Sequence, residues 1–196
     1  MIKRLFDIVA SGLGLLLLSP LLIAVALWIK LDSRGPVLFR QDRVGRFGRP
    51  FLIHKFRTMR VDNAGLQITV GEDTRITAAG RFLRASKLDE LPQLWDVLRG
   101  AMSLVGPRPE VPRYVALYPA ALREVVLSVR PGITDLASLE YRDESAVLAR
   151  SVDPERAYVE EVMPAKLALS VRYVREASLL GDLRLILATV AAILKR

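Results

Sequence analysis

Between Leu5 and Ile29 the chain is apolar, interrupted only by Asp7 and the hydroxyls of Ser11 and Ser19. As a helix this stretch reaches about 37 Å, more than the ~30 Å hydrocarbon core of a bilayer. It is too long for the apolar part of a secretory signal, and no small-x-small cleavage site follows it. Ser19-Pro20 falls in its middle. Proline lacks the N–H and clashes with the carbonyl of Leu16, so the pattern predicts a kink, deepened by a Ser19 bond to the Leu15 carbonyl. The pieces on either side measure about 21 and 15 Å, and neither spans alone. A kinked span and a helix that turns back both fit this pattern. The flanking cations favour the second: Lys3 and Arg4 precede the run, Lys30 and Arg34 follow it, and positive ends stay in the cytoplasm.

Beyond Ser33 the pattern becomes that of a folded body. Gly35-Pro36, Gly45 and Gly48 mark turns, and Phe51 to Phe56 reads as a short strand. Asp62 to Arg75 is polar and reads as a loop. Helical periodicity runs from Ile76 to Leu98, with Leu88, Leu91, Trp95 and Leu98 on one stripe and Gly100 as its stop. Gly106-Pro107-Arg108-Pro109 is a rigid loop. Val111 to Val129 is mostly helical and ends at Arg130-Pro131-Gly132. A further helix covers Pro154 to Val174, interrupted at Pro164. Leu179 to Leu194 is apolar but holds Asp182 and Arg184, which suits an interfacial or packed helix. No internal repeat appears. The expected fold is α+β, mostly helical. Residues 1–31 form a re-entrant membrane helix; residues 32–196 form a compact cytoplasmic catalytic domain with interfacial amphipathic helices and a little β structure.

Composition sharpens this. With 196 residues, one principal domain is expected. The absence of cysteine excludes disulfides, a thiolate nucleophile and cysteine-ligated metals, and the single histidine excludes a multi-histidine metal site. The net charge is +8. Ser33 to Arg60 alone carries eight cations against Asp42, a local +7 directly after the membrane segment. That density suits anionic headgroups, a phosphate-binding rim, or both. His54, in an apolar strand, reads as structural. Glu140, Arg142, Asp143 and Glu144 read as a solvated charged loop.

Asp89-Glu90 carries the chemistry. Ser86 is positioned to cap a helix, which would put Asp89 in its first turn and keep it ionised. An ionised carboxylate there can act as nucleophile or bind Mg²⁺, with Arg81 and Arg84 on phosphate. Ordinary capping explains the same acids. Arg108, fixed between Pro107 and Pro109, suits phosphate or base recognition; a plain surface turn is its alternative.

Arg57-Thr58-Met59, Ser86-Lys87-Leu88-Asp89-Glu90-Leu91-Pro92-Gln93-Leu94, Met102 to Glu110 (MSLVGPRPE) and Arg130-Pro131-Gly132-Ile133-Thr134 occur in this order. With the Ser19-Pro20 segment they resemble the monotopic phosphoglycosyl transferases, the bacterial sugar transferase family, in their small form, over roughly residues 2 to 190. The resemblance implies transfer of a sugar-1-phosphate from a UDP-sugar to undecaprenyl phosphate, releasing UMP, as the first membrane step of surface glycan synthesis. It implies Asp89 as the nucleophile that forms a covalent phosphosugar intermediate, Glu90 as its dyad partner and Mg²⁺ beside Asp89. It also implies Arg84 on phosphate, Pro107-Arg108-Pro109 at the uridine nucleotide, and Ser19-Pro20 as the break in a re-entrant helix. The implied place is the cytoplasmic face of the bacterial plasma membrane, with leaflet lipid as partner, no nucleic acid, and a homo-oligomer left open. Many members continue after Thr134 as Gly-Trp-Ala-Gln-Val-Asn-Gly-Arg; this chain has Asp135 to Arg142 (DLASLEYR), keeping only Ala137 and Arg142. The catalytic motifs are intact, so the difference reads as one between subfamilies.

Three other functions fit parts of the sequence. A nucleic-acid binder would use the basic segment with Phe39, Phe47, Phe51 and Phe56. A non-catalytic membrane scaffold would leave Asp89 replaceable. A transferase that makes a glycosidic bond would want an Asp-x-Asp motif, which is absent.

Overall fold

The computed structural model describes residues 1–61, 73–140 and 148–195. Its first element, helix α1, runs unbroken from Ile2–Asp32 with Pro20 inside it. It is the one helix among the described residues long and apolar enough to cross a membrane, by length and composition. Ser19 Oγ donates to the Leu16 carbonyl at 2.8 Å, the carbonyl that Pro20 cannot serve, and not to Leu15 as expected.

Both ends of α1 are fastened to the same body. At the start, Asp7 is buried and accepts from Ser103 Oγ and the Leu104 N–H, each at 3.1 Å. Lys3 donates to Asp182 and to the Val105 carbonyl. These partners explain two of the three polar interruptions of the apolar run: Asp7 docks the helix, and the Ser11 hydroxyl donates back to the Asp7 carbonyl at 2.6 Å. At the far end Val25 and Ile29 pack on Phe56 and Leu83 in a buried apolar cluster, and Trp28 meets Phe82. Between them Leu16, Leu17, Leu21 and Ile23 are exposed.

Strands β1 (Leu38–Val44) and β2 (Pro50–Phe56) form an antiparallel hairpin in which Leu38 faces Phe56 and Val44 faces Pro50. β2 was legible as an apolar run. β1 was not, because Arg40, Gln41, Asp42 and Arg43 hide its alternation. Arg57 then spends its guanidinium on Ser33, Pro36 and Met59, tying the end of α1 to β2.

The expected continuous helix from Ile76 to Leu98 is divided. Helix α2 (Ala78–Ser86) is capped by Thr77, whose Oγ1 accepts from the Gly80 N–H. Lys87 turns left-handed at φ 58° and stops it. A single 3₁₀ turn, Leu88–Glu90, follows, then helix α3 (Gln93–Arg99), closed by Gly100 at φ 91° as the sequence suggested. Ser86 therefore ends one helix instead of capping the next; its hydroxyl donates to the Phe82 carbonyl.

Strands β3 (Ser103–Val105) and β4 (Gly132–Thr134) pair in parallel. Their approach demands glycine: a Cβ on Gly132 would stand 2.1 Å from the Gly106 nitrogen. Val111 to Val129 resolves into two short helices, α4 (Pro112–Val115) and α5 (Ala120–Leu127). After α6 (Leu136–Glu140), α7 (Pro154–Ala157) runs through a π-turn, Tyr158–Val162, into α8 (Met163–Glu176). The wider turn lies just before Pro164, whose ring would clash in a regular helix. Helix α9 (Leu179–Leu194) matches the expected span, with Asp182 buried against Lys3 and Tyr173. The polar loop after Asp62 lies outside the described residues as far as residue 72, as do residues 141–147 of the charged cluster.

Candidate active site

Lys87 is the local cause of the site. Its left-handed backbone reverses α2, so the next three residues turn inward and both Asp89 and Glu90 are buried. They open on a cleft of about 1550 Å³ lined by the hairpin, α2, the 106–109 loop, β4, α6 and α9. One side of the cleft is basic, with Arg40, Arg43, Lys55, Arg84, Lys87 and Arg108. Another is apolar, with Leu104, Ile133, Ala137, Ile186, Val190 and Ile193.

The two carboxylates have opposite surroundings. Glu90 Oε1 accepts from Lys55 Nζ at 2.9 Å and from Arg108 Nη2 at 2.6 Å, and Arg108 Nη1 lies 3.4 Å from Oε2. Burial would raise the Glu90 pKa, but Arg108 and Lys55 overturn it and hold the carboxyl well below its ordinary value. Asp89 Oδ1 is buried with no hydrogen-bond partner. Burial, then the Glu90 charge, pushes the Asp89 pKa up, against the pull of Lys55, Lys87 and Arg84. A helix N-terminus was expected to hold Asp89 ionised. In the structure its only helical setting is one 3₁₀ turn, and the flanking cations are what oppose protonation.

Arg84, at the end of α2, donates from Nε to Thr58 Oγ1 at 2.9 Å and faces the cleft. Arg81 is exposed and does not line it. Arg108 lines the cleft with Pro109, while Pro107 faces a smaller neighbouring hollow and its carbonyl takes the Gly132 N–H. The proline pair does hold the arginine, with more help than the sequence disclosed. Arg43 donates to the Pro109 carbonyl and to Glu110 Oε1, and Tyr158 donates to Glu110 Oε2. Asp135, first of the divergent segment, accepts from the Arg108 N–H at 3.3 Å and from the Ser138 N–H at 2.8 Å.

Asp89, Glu90, Arg84, Arg108 and Pro109 thus share one cleft; Ser19 and Pro20 lie apart from it on α1. Sequence reading counted Lys55 and Arg43 only among the cations of the basic segment and gave Glu110 no role of its own. The signal for Lys55 was a cation inside an apolar strand. His54 is structural as expected, with Nδ1 2.7 Å from Asp96 Oδ1. Of the phenylalanines that might interleave with bases, Phe56 is buried and Phe51 packs on the core, leaving Phe39 and Phe47 exposed.

A divalent metal fits this donor set in a limited way. Among the described residues no three carboxylate, histidine or cysteine side chains gather as a cage. Asp89 offers an orphaned buried oxygen. Mg²⁺ is ordinarily held by one or two carboxylates together with substrate phosphates, and that is the arrangement Asp89 can join.

Comparison with known proteins places the chain. It is 42% identical over 196 residues to a UDP-glucose:undecaprenyl-phosphate glucose-1-phosphate transferase of Caulobacter vibrioides, covering 98% of this chain and 69% of that protein. It is 40% identical to a protein of the same name from Klebsiella pneumoniae, covering 96% of this chain and 39% of that one. A UDP-N-acetylgalactosamine-undecaprenyl-phosphate N-acetylgalactosaminephosphotransferase of Aeromonas hydrophila is 36% identical, covering 98% of this chain and 44% of that protein. The chain therefore spans less than half of the latter two. The profile of the bacterial sugar transferases matches residues 1–196, and the chain belongs to that family of phosphoglycosyl transferases.

Proposed function

We propose that this chain transfers a sugar-1-phosphate from a UDP-sugar to undecaprenyl phosphate, through a covalent intermediate on Asp89. One observation carries the reading: Asp89 Oδ1 is buried, unpartnered and set in a cleft walled by cations. A buried oxygen without a partner normally costs stability, so its retention points to a partner that arrives with the substrate. The names of the relatives supply the substrate classes, and two different sugars among them leave the sugar open to assay.

In this reading the donor diphosphate lies along Arg84, Lys87 and Arg108. Glu90 takes up Lys55 and one edge of Arg108, so that these cations are fixed before substrate arrives. Asp89 Oδ1 attacks the phosphorus bonded to the sugar; the bond to the bridging oxygen breaks and UMP leaves with that oxygen. A phosphate oxygen of the acceptor then attacks the same phosphorus, the Asp89–phosphorus bond breaks, and the carboxylate is restored. Mg²⁺ held by Asp89 and the diphosphate would neutralise charge on the transferring phosphoryl group. Fixed guanidinium and ammonium groups act on the same charge without reorganising.

The attachment of α1 supports a monotopic place on the cytoplasmic leaflet. A straight span would carry one helix end some 30 Å from the catalytic body. Here Lys3, Asp7, Val25 and Ile29 all dock on that body. A re-entrant helix, entering and leaving on one face, meets that condition with its exposed middle in lipid.

The test is UMP release from a panel of UDP-sugars with undecaprenyl phosphate and Mg²⁺, for wild type and Asp89→Asn. We expect UMP from one or a few sugars and a loss on the order of 10⁴-fold or more in the variant. Undiminished release by Asp89→Asn would remove Asp89 as nucleophile. Folded wild type that releases no UMP from any donor would overturn the assignment.

A further inference from the structure

Three guanidinium groups, those of Arg4, Arg46 and Arg130, bond carbonyls at the C-terminal ends of α3 and α5, and α3 packs on α1. Arg4 donates from Nη1 to the Val97 carbonyl at 2.6 Å and from Nη2 to the Leu98 carbonyl at 3.0 Å. Arg130 Nε donates to the Gly100 carbonyl at 2.8 Å, and Arg46 Nε to the Ser128 carbonyl at 2.8 Å. A Cβ on Gly100 would stand 3.2 Å from Arg4 Nη2, so Arg4 and Arg130 close on the same residue. Ser128, which holds Arg46, is two positions before Arg130. None of the three forms an ion pair with a carboxylate among the described residues. Burial first, then Arg4 and Arg46, push the Arg130 pKa down, and the nearby Asp7 carboxylate pulls it the other way.

Helix-end carbonyls explain the bonded nitrogens. They do not explain the gathering. Each guanidinium carries five N–H groups, and the carbonyls take two from Arg4 and one each from the others. The N–H groups left over can take an anion.

The surroundings say which anion. Arg4 lies at the head of α1, and Leu5, Ile8 and Val9 directly after it are exposed. Phe47, at the tip of the hairpin, is 66% exposed, with the Arg46 guanidinium 4.3 Å from its ring centroid. Its φ of 59° is a conformation that bulky residues avoid. Cations beside exposed apolar and aromatic side chains mark the headgroup level of a membrane surface.

We propose that Arg4, Arg46 and Arg130 form a binding site for the phosphate of an anionic glycerophospholipid, whose acyl chains lie against Phe47 and the first turns of α1. The site is separate from the catalytic cleft, which none of the three residues lines. The proposal rests on the reading of α1 as membrane-embedded.

The full chain in neutral detergent is titrated with dioctanoyl phosphatidylglycerol and with dioctanoyl phosphatidylcholine, and bound lipid is counted by native mass spectrometry. We expect phosphatidylglycerol to bind at least about tenfold more tightly. Each cation removed should weaken it about five-fold, so Arg46→Gln with Arg130→Gln should weaken it about twenty-five-fold. Arg46 is exposed, so Arg46→Gln alone serves if the double variant fails to fold. Arg156→Gln, on a remote exposed pair, should change nothing. Equal binding of the two lipids, or unchanged affinity in Arg46→Gln, would overturn the site. Full competition by inorganic phosphate at the lipid's concentration would overturn the lipid assignment in favour of a general anion site. If instead the chain stays soluble and monomeric without detergent, the reading of α1 fails, whatever the headgroup result.

Discussion

Replacing Glu90 by glutamine tests the electrostatic frame of the site. Glu90 is buried, with Lys55 Nζ at 2.9 Å and Arg108 Nη2 at 2.6 Å from the same oxygen. Lys55 is itself desolvated: burial holds its pKa below the ordinary value, and Glu90 pulls it back up only in part. Glu90→Gln keeps the volume and deletes the counter-charge. Removing one partner of a buried pair costs about 3–5 kcal/mol, because the stranded charge keeps its desolvation cost. For a chain of this size that is roughly 6–20 °C in unfolding temperature. The assay is thermal unfolding of the full chain in detergent without substrate, for wild type, Glu90→Gln, Lys55→Met and the double variant. Lys55→Met removes the cation that Glu90→Gln strands, so the double variant should recover about 1.5 kcal/mol or more relative to the sum of the singles. Costs that add within about 0.5 kcal/mol would refute the coupling.

Other consequences follow from single contacts. Gly80→Ala should leave little folded protein, at a cost above about 3 kcal/mol, because its Cβ would stand 2.0 Å from the Thr58 carbonyl oxygen; limited proteolysis reads this directly. Leu83→Ala, at a fully buried position beneath Val25 and Ile29, should cost about 2–5 kcal/mol in thermal unfolding. Glu90 also sets a pH dependence. Its folded pKa lies below its unfolded value near 4.5, so its contribution is present above that value and lost as pH falls through the folded pKa. The gap in unfolding temperature between wild type and Glu90→Gln should therefore shrink on acidification below about pH 4.5.

Much of this arrangement could be read from the chain, for physical reasons. The apolar run, the closing Gly100, the strand at Phe51 to Phe56 and the helix from Leu179 are local patterns, and local patterns survive folding. Asp89, Glu90, Arg84 and Arg108 were legible because their neighbours form long ordered motifs. What failed was what depends on distant contacts. Periodicity from Ile76 to Leu98 suggested one helix, because the pattern does not register one left-handed residue at Lys87. Ser86 looked like a cap because its residue type suits either end of a helix. Lys55, Arg43 and Glu110 carry no local sign of their partners, which come from the helical segment that follows, the proline loop and the turn before Pro164.

The same contacts that dock α1 also build the cleft. Ile29 packs on Phe56 and Leu83; the strand of Phe56 carries Lys55, and the helix of Leu83 ends in Arg84. Gly12 and Gly14 of α1 lie against Leu98 and Leu94 of α3, the helix that begins just after the dyad. At the other end Asp7 holds Ser103 and Leu104 of β3, and Leu104 lines the cleft. Phe56 and Leu83, which pack against the apolar helix, are therefore chain neighbours of Lys55 and Arg84, two cations of the cleft. Any shift of α1 must be felt by Lys55, Arg84 and the turn that holds Asp89. Under the proposed function, a lipid-borne phosphate meets the Asp89 carboxylate only if that carboxylate sits at a fixed depth near the membrane surface. A dyad turn built close to the apolar helix would set such a depth without a linker, and Asp7, the one acid in the apolar run, is one of the pins that hold that helix.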